Sequence, residues 1–280
     1  AGNMQPGLRV GMFFFERADR GLERNQSLDR QLGEAGHRVI ESGATLTELG
    51  MDVGKVARAV AEARADAWVV DAASRQVLEW FIAAGIPVMA LFGRRRGLPL
   101  ASVGPDKTPA YREATRRLFT LGHRRIVWLA RRNRRLPQPG EAETAFLAEL
   151  AACGIRPGKY NLPDWEENTD GLHSCLDALF QVTPPTAIIA DEVPFYLAAQ
   201  HYISSRGLSV PGDVSLVCTD GDPYFDWCQP SVAHIRWDHR PLLRRIVKWA
   251  GNVSRGKEDK RHTFIKAEFV PGGTIGRAKR

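Results

Sequence analysis

Short apolar runs and helix-period stretches alternate along almost the whole chain. Runs rich in Val, Ile, Leu and Phe at 8–15, 37–42, 67–72, 87–92, 100–104, 125–131, 186–191, 214–220, 232–237 and 263–270 read as strands. Between them, the spacing of apolar positions predicts helices near 22–36, 52–64, 74–84, 107–121, 141–153, 171–181, 193–206 and 240–255. Gly36, Gly122, Gly154 and Gly207 close four of these windows, and Gly85-Ile86-Pro87 closes a fifth. Short apolar strands alternating with helices of this length predict βαβ units and a parallel sheet covered on both faces. The expected fold class is therefore α/β. Ten strands exceed the usual size of one sheet, so the pattern reads as two sheets, divided where Val103-Gly-Pro-Asp106 gives way to a new helix. No low-complexity linker lies there, so the chain is expected to pass between two lobes by short connections. The tail beyond Gly276 is expected to be disordered.

The bulk numbers narrow the class. A chain of 280 residues, 44% hydrophobic and 25% charged, is long enough for two lobes with their own cores. No apolar run reaches the roughly 20 residues of a membrane-spanning helix, so no membrane partner is expected. The segment Ala1 to Gly7 lacks the basic start and apolar middle of a secretory signal. Cys153, Cys175, Cys218 and Cys228 form no C-x-x-C pair and sit near no clustered histidines, which argues against zinc and for a reducing, cytoplasmic setting. The net charge of +7 is concentrated: nine arginines lie between Arg112 and Arg135 against the single acid Glu113. No aromatic platform accompanies them, so a solvated helix face and loop is the simpler reading, ahead of a nucleic-acid surface. Neither phosphate-loop, nucleophile-elbow nor H-E-x-x-H patterns occur, so neither catalysis nor a cofactor is expected.

Candidate binding groups come from the strand ends. In an open parallel sheet the carboxyl ends of strands face the ligand crevice, and two later strands end in Asp191 and Asp220. A carboxylate there accepts hydrogen bonds from ligand donors. Glu16 follows the first strand and Asp71 ends the third, in equivalent places. Each has a plainer alternative: Asp191 as a helix cap, Asp220 as a turn cap, Glu16 and Asp71 as surface ion pairs.

Leu121-Gly-His-Arg-Arg-Ile126 is similar to the "LGH-R-I" signature of the lactose-repressor and galactose-repressor (LacI/GalR) family. Pro185-Thr-Ala-Ile-Ile-Ala190, Gly207-Leu-Ser-Val-Pro211, Asp213-Val-Ser-Leu-Val217, Pro230 and Phe269-Val-Pro-Gly-Gly-Thr274 follow in register, so the resemblance spans about residues 8 to 275. It implies two Rossmann-like lobes of the periplasmic-binding-protein type, joined by three crossovers near 104, 236 and 260, with a ligand in the cleft. The N-terminal lobe would be 8–104 plus 236–259 and the C-terminal lobe 105–235 plus 260–275, with 276–280 as a tail. The implied function is effector sensing by a transcription regulator, with a sugar or sugar derivative as effector. The implied partners are operator DNA, reached through a helix-turn-helix head that the resemblance places before this core, and a second copy in a homodimer. Only seven residues precede the first strand, so that head is expected to be missing from the chain. Val53, Val56, Val60, Val77, Leu78 and Phe81 are candidates for the dimer contact, although core burial explains the same spacing. The same fold also allows a periplasmic sugar-binding protein of a transport system.

The resemblance also assigns site residues and shows departures. Asp220 stands where the family has the first acid of its "GFDD" motif, here altered to Cys218-Thr-Asp-Gly221. Asp191 and Glu192 stand where it has Asn-Asp. Trp165 matches an aromatic that some members place against a sugar face, with packing on its own lobe as the alternative. Trp237 and His239 lie at the second crossover, where either reaches the cleft or packs the hinge. The family's ligand-clamping arginine falls at Ala142, four residues before Phe146. Arg131, Arg132, Arg134 and Arg135 follow the 125–131 strand; one of them, with Arg131 as the candidate, is expected to substitute and so to favour an acidic effector.

Overall fold

The computed structural model describes residues 7–279. The chain divides into two compact units. The first comprises the chain to Pro105 and Asp238–Ile265; the second comprises Asp106–Trp237 and the chain from Lys266. The third passage between them lies inside a strand, where the sequence suggested a connection near 260.

The first unit is built from β1 (Arg9–Phe13), α1 (Glu23–Glu34), β2 (Arg38–Glu41), α2 (Val53–Ala63), β3 (Ala67–Asp71), α3 (Arg75–Ala83), β4 (Val88–Leu91) and β5 (Ala101–Asp106). Its strands follow the order β2-β1-β3-β4-β5 and are all parallel. Two helix starts have a sequence cause: at α2 Asp52 Oδ1 accepts from Lys55 N (2.8 Å), and at α3 Ser74 Oγ accepts from Val77 N (3.3 Å). Trp68, the second residue of β3, is fully buried and stacks on Phe13 at 4.6 Å. Its ring lies against Gly11, where a Cβ would come within 2.5 Å of it, so β1 needs glycine there. Val56, Val60, Val77, Leu78 and Phe81 close this core, with Val53 packed at its edge. The apolar positions offered for a dimer contact are therefore consumed inside the unit, a correction set by the need to cover the sheet face.

The second unit contains α4 (Thr108–Thr120), β6 (Ile126–Leu129), the single-turn α5 (Arg132–Arg135), α6 (Glu141–Ala152), α7 (Thr169–Val182), β7 (Ala187–Ala190), α8 (Glu192–Ser205), β8 (Ser215–Cys218) and β9 (Ala233–Trp237). Strands β6-β7-β8-β9 are parallel. At the β6 edge a coil segment does the work of a strand: Trp128 N donates to Asn161 O and Asn161 Nδ2 to Ile126 O, both at 2.8 Å. The chain then forms α9 (Arg240–Ser254) in the first unit, where it packs on α1, and ends in β10 (His262–Val270). β10 begins in the first unit, with Ser102 N bonded to Arg261 O just ahead of it (3.1 Å), and pairs antiparallel to β9 in the second.

The tail is ordered to the last described residue, which corrects the expectation of disorder beyond Gly276. The ring of buried His123 bridges Thr186 Oγ1 and Gly276 O, each at 3.0 Å. Ser215 Oγ accepts from Gly276 N (2.9 Å), Leu121 O accepts from Ala278 N (2.9 Å), and Lys279 pairs with Asp213. Ending the chain at Gly276 removes one backbone bond and one exposed ion pair. A loss of about 1 kcal/mol is expected in urea unfolding.

Candidate functional site

The densest group of charged side chains in the second unit gathers at the carboxyl ends of β6, β7 and β8. Asp191, immediately after β7, is completely buried. Its carboxylate accepts from Trp128 Nε1 (3.0 Å), Arg131 N (2.8 Å), Thr219 Oγ1 (3.2 Å) and Arg134 Nη1 (3.2 Å). One side chain thus ties three strand ends together, and four donors offset the cost of burying its charge. Glu192 follows with φ of 55°, a left-handed conformation rare outside glycine. Its N–H donates to Thr219 Oγ1 at 2.9 Å, so the hydroxyl relays between Glu192 and Asp191. Strain of this kind persists where surrounding contacts fix it, and it concentrates at binding sites.

Around this centre the charges are paired. Arg131 donates to Glu167 through Nε (2.8 Å) and Nη2, and to Glu192 at 2.9 Å, with its guanidinium 5.3 Å above Phe195. Burial pushes the Glu192 carboxyl up to about 7 against the pull of Arg131. Arg134 bonds to buried Glu143 at 2.7 Å and lies over the Trp128 and Tyr111 rings at 5.1 and 5.4 Å. Asp220, after β8, receives Lys107 Nζ, which also donates to Thr219 O at 2.9 Å. Tyr111 stacks on Trp128 at 4.3 Å, and Phe146 meets the same indole edge-on at 5.4 Å. Such a cluster can accept hydrogen bonds from hydroxyl or ammonium groups at Asp220 and Glu192, whose side chains keep 30% and 35% of their exposure.

The structure brings three of the sequence candidates together: Arg131, Asp191 and Asp220. Asp191 sits at the first turn of α8 but makes no capping bond, being turned inward to Trp128 and Arg134. Trp165 is buried, donates through Nε1 to Ala130 O (3.1 Å) and meets Phe195 edge-on at 5.4 Å. It packs into its own unit, the alternative that the sequence also allowed, with its indole N–H already engaged. Trp237 is half-buried against the core formed by Phe146 and Trp128. His239 is half-buried at the start of α9, where its carbonyl accepts from Leu243 N (3.2 Å). In the first unit Asp71 is buried and faces Arg24 at 3.5 Å. Burial pushes its carboxyl up to about 7, against the pull of Arg24. Glu16 is half-buried at the head of a 3₁₀ turn, its N–H bonded to Asp19 Oδ2 (3.0 Å).

The arginine expectation changes most. Arg131 is held by Glu167 and Glu192, Arg134 by Glu143 and Asp191, Arg135 by Asp164, and Arg132 by Glu166. Each guanidinium already faces a carboxylate, so the case for an acidic effector loses its basis. Sequence reasoning missed Lys107, Tyr111, Trp128, Glu143, Glu167 and Thr219. Lys107 and Thr219 carried a positional signal, following the ends of β5 and β8; the others read as ordinary core or surface positions.

Residues 115–275, more than half of the chain, match the family described as periplasmic binding protein-like domain. An uncharacterized HTH-type transcriptional regulator in the aml 5′ region of Streptomyces limosus is 27% identical over 188 residues, 66% of this chain and 52% of the relative. The HTH-type transcriptional regulator RafR of Escherichia coli is 29% identical over 196 residues, 69% of this chain and 57% of the relative. The chain thus spans about half the length of the curated relatives it matches. Among solved structures, a transcriptional regulator CelR–cellobiose complex superposes with a TM-score of 0.75 at 19% identity, covering 96% of this chain and 86% of that one. These relatives are transcriptional regulators, not enzymes. The chain belongs to the periplasmic binding protein-like domain family.

Proposed function

We propose that this chain senses a small polyhydroxylated effector, of the saccharide class, and so controls DNA binding by the regulator of which it forms the effector-binding part. One observation carries the reading. At the carboxyl ends of β7 and β8, Asp220 and Glu192 are fixed by Lys107, Arg131 and Thr219 yet keep open acceptor surface. Carboxylates oriented in advance bind hydroxyl-rich molecules without losing much rotamer entropy. A structural neighbour bound to cellobiose supports the same ligand class. The effector acts to the extent that it binds the DNA-competent and DNA-incompetent states of the protein unequally. Assembly as a homodimer accompanies this reading, and sedimentation velocity reads it directly.

The test is a thermal-shift and calorimetric screen of mono- and disaccharides against wild type and Asp220→Asn. At least one saccharide is expected to bind, with affinity about ten- to a hundredfold weaker in the variant, the worth of a hydrogen bond to a charged group. Saccharide binding of equal strength in both proteins would place the site elsewhere. No binding across the screen would defeat the reading.

A further inference from the structure

In the second unit the parallel strands all begin at one end, and the segments gathered there are basic. These are 121–125 ahead of β6, 153–162 beside it, 182–186 ahead of β7, 206–214 ahead of β8, and 271–279 after β10. They carry seven arginines and lysines against the single acid Asp213. Lys279 pairs with Asp213, and Arg206 with Asp177 of α7. Arg124, Arg125, Arg156, Lys159 and Arg277 remain, all exposed, with no carboxylate partner among the described residues. Like charges gathered in this way repel one another, at a cost to the fold that Asp213 alone does not offset.

Backbone bonds and close contacts make these five neighbours. Ala278 N donates to Leu121 O (2.9 Å) and so sets Arg277 beside the turn that bears Arg124 and Arg125. Tyr160, next to Lys159, donates its hydroxyl to Thr183 O (2.9 Å), and Arg125 Nε donates to the adjoining Pro184 O (2.7 Å). Arg124 lies within electrostatic reach of Cys153, three residues before Arg156. Two of the guanidinium groups are also fixed in advance. Arg124 donates through Nη1 to Phe119 O (3.1 Å) and His123 O (3.0 Å) and lies 3.8 Å over the Phe119 ring. Arg125 is held through Nε alone. Both therefore keep terminal nitrogens for a partner and lose little side-chain entropy on meeting one.

We propose that this end of the second unit is a docking surface for the phosphate backbone of double-stranded DNA, bound without regard to sequence. Guanidinium groups meet phosphate oxygens in a two-pronged fashion, and each phosphate neutralised releases condensed counterions. The surroundings disfavour other polyanions. Val182 is the single large apolar side chain exposed in these segments, so a protein partner would find no hydrophobic centre to bury. Tyr160 is half-buried with its hydroxyl engaged, so no ring stands ready to stack the bases of a single strand. The exposed Tyr224 and Trp227 precede β9, three strands away from β6 in the sheet. The inference uses no residue of the effector site and takes from that reading only the choice of DNA as the polyanion.

The experiment follows the 280-residue chain on a short, fluorescently labelled duplex of mixed sequence by anisotropy at rising salt. Binding is expected to weaken about 20- to 140-fold from about 50 to 150 mM salt, as for three to five phosphates neutralised. One variant joins Arg156→Gln, Lys159→Gln and Arg277→Gln, whose side chains make no bond among the described residues. It should bind at least about tenfold more weakly at the lower salt and flatten the salt dependence by two to three phosphates. A second variant joins Lys55→Gln, Arg58→Gln and Arg64→Gln, exposed on and just after α2, and removes the same charge from the first unit. It should bind within about twofold of wild type. Native circular dichroism is checked for both. Absence of binding at low salt, equal weakening in the two variants, or displacement of the duplex by polyglutamate at equal charge overturns the proposal. A chain that binds no saccharide yet binds DNA in this way keeps the inference while the effector reading falls.

Discussion

Asp191→Ala is expected to lower the free energy of unfolding by about 3–5 kcal/mol, the usual cost of stranding the partner of a buried charge. The carboxylate has no exposed surface and receives four donors, from Trp128, Arg131, Arg134 and Thr219. Removing it strands the Trp128 indole N–H beneath the stacked Tyr111, and leaves Arg134 to Glu143 alone on its acidic side. It also breaks the relay that holds Glu192 in its left-handed conformation. Asp191→Asn keeps one acceptor oxygen and should lose less than half as much. Urea unfolding of both variants checks this. A loss below about 1 kcal/mol for the alanine variant would mean that water replaces the carboxylate and that the three strand ends are not tied through it.

The second large effect concerns Asp71 and is a matter of pH. Its carboxyl is shifted up from the ordinary 3.8 to about 7, chiefly by burial, so the folded protein holds the proton more tightly than the unfolded chain. The stability linked to that proton is fully present below about pH 3.8 and is lost as pH rises through 7. The span corresponds to roughly 4 kcal/mol for one buried group. In Asp71→Asn the contribution is gone: the variant should gain on wild type steadily from pH 4 to 7 and hold that advantage above pH 7.5. The difference between the two proteins is the quantity to read, because carboxylates shifted down, such as Asp238 beside Arg240, tilt the whole curve the other way. Parallel wild-type and variant curves across this range would show that Arg24 keeps Asp71 ionised throughout.

The ten strands among the described residues lie where the apolar runs placed them, and for most of them the reason is that a parallel strand buried on both faces leaves a continuous hydrophobic trace. The single turn at Arg132–Arg135 left no such trace. Four polar residues show no apolar period, and their helix is set by tertiary bonds, among them Arg132 N to Glu167 Oε2 at 2.8 Å. At the site, Asp191 and Asp220 were visible as acids at strand ends, but their opposite fates were not. Asp191 turns inward because the Trp128 indole in the neighbouring strand needs an acceptor, whereas Asp220 stays half-open on Lys107. Glu143 and Tyr111 were hidden for a related reason. Each lies on a helix face that reads as ordinary surface or core, and only the folded neighbourhood shows a charge without solvent and a ring stacked on Trp128 beneath Arg134. Trp165 misled because a loop tryptophan looks available until its indole is found bonded to Ala130 O.

The route of the chain has a consequence for biosynthesis. The first unit is incomplete without Asp238–Ile265, and the second lacks its last strand until the residues after Lys266 are made. Neither body can finish folding while most of the polypeptide is emerging from the ribosome. Each reaches completion only once β10 has been made. A chain cut short between the middle of the second unit and that strand therefore leaves two unfinished halves for proteases to find, not one sound half and one broken one.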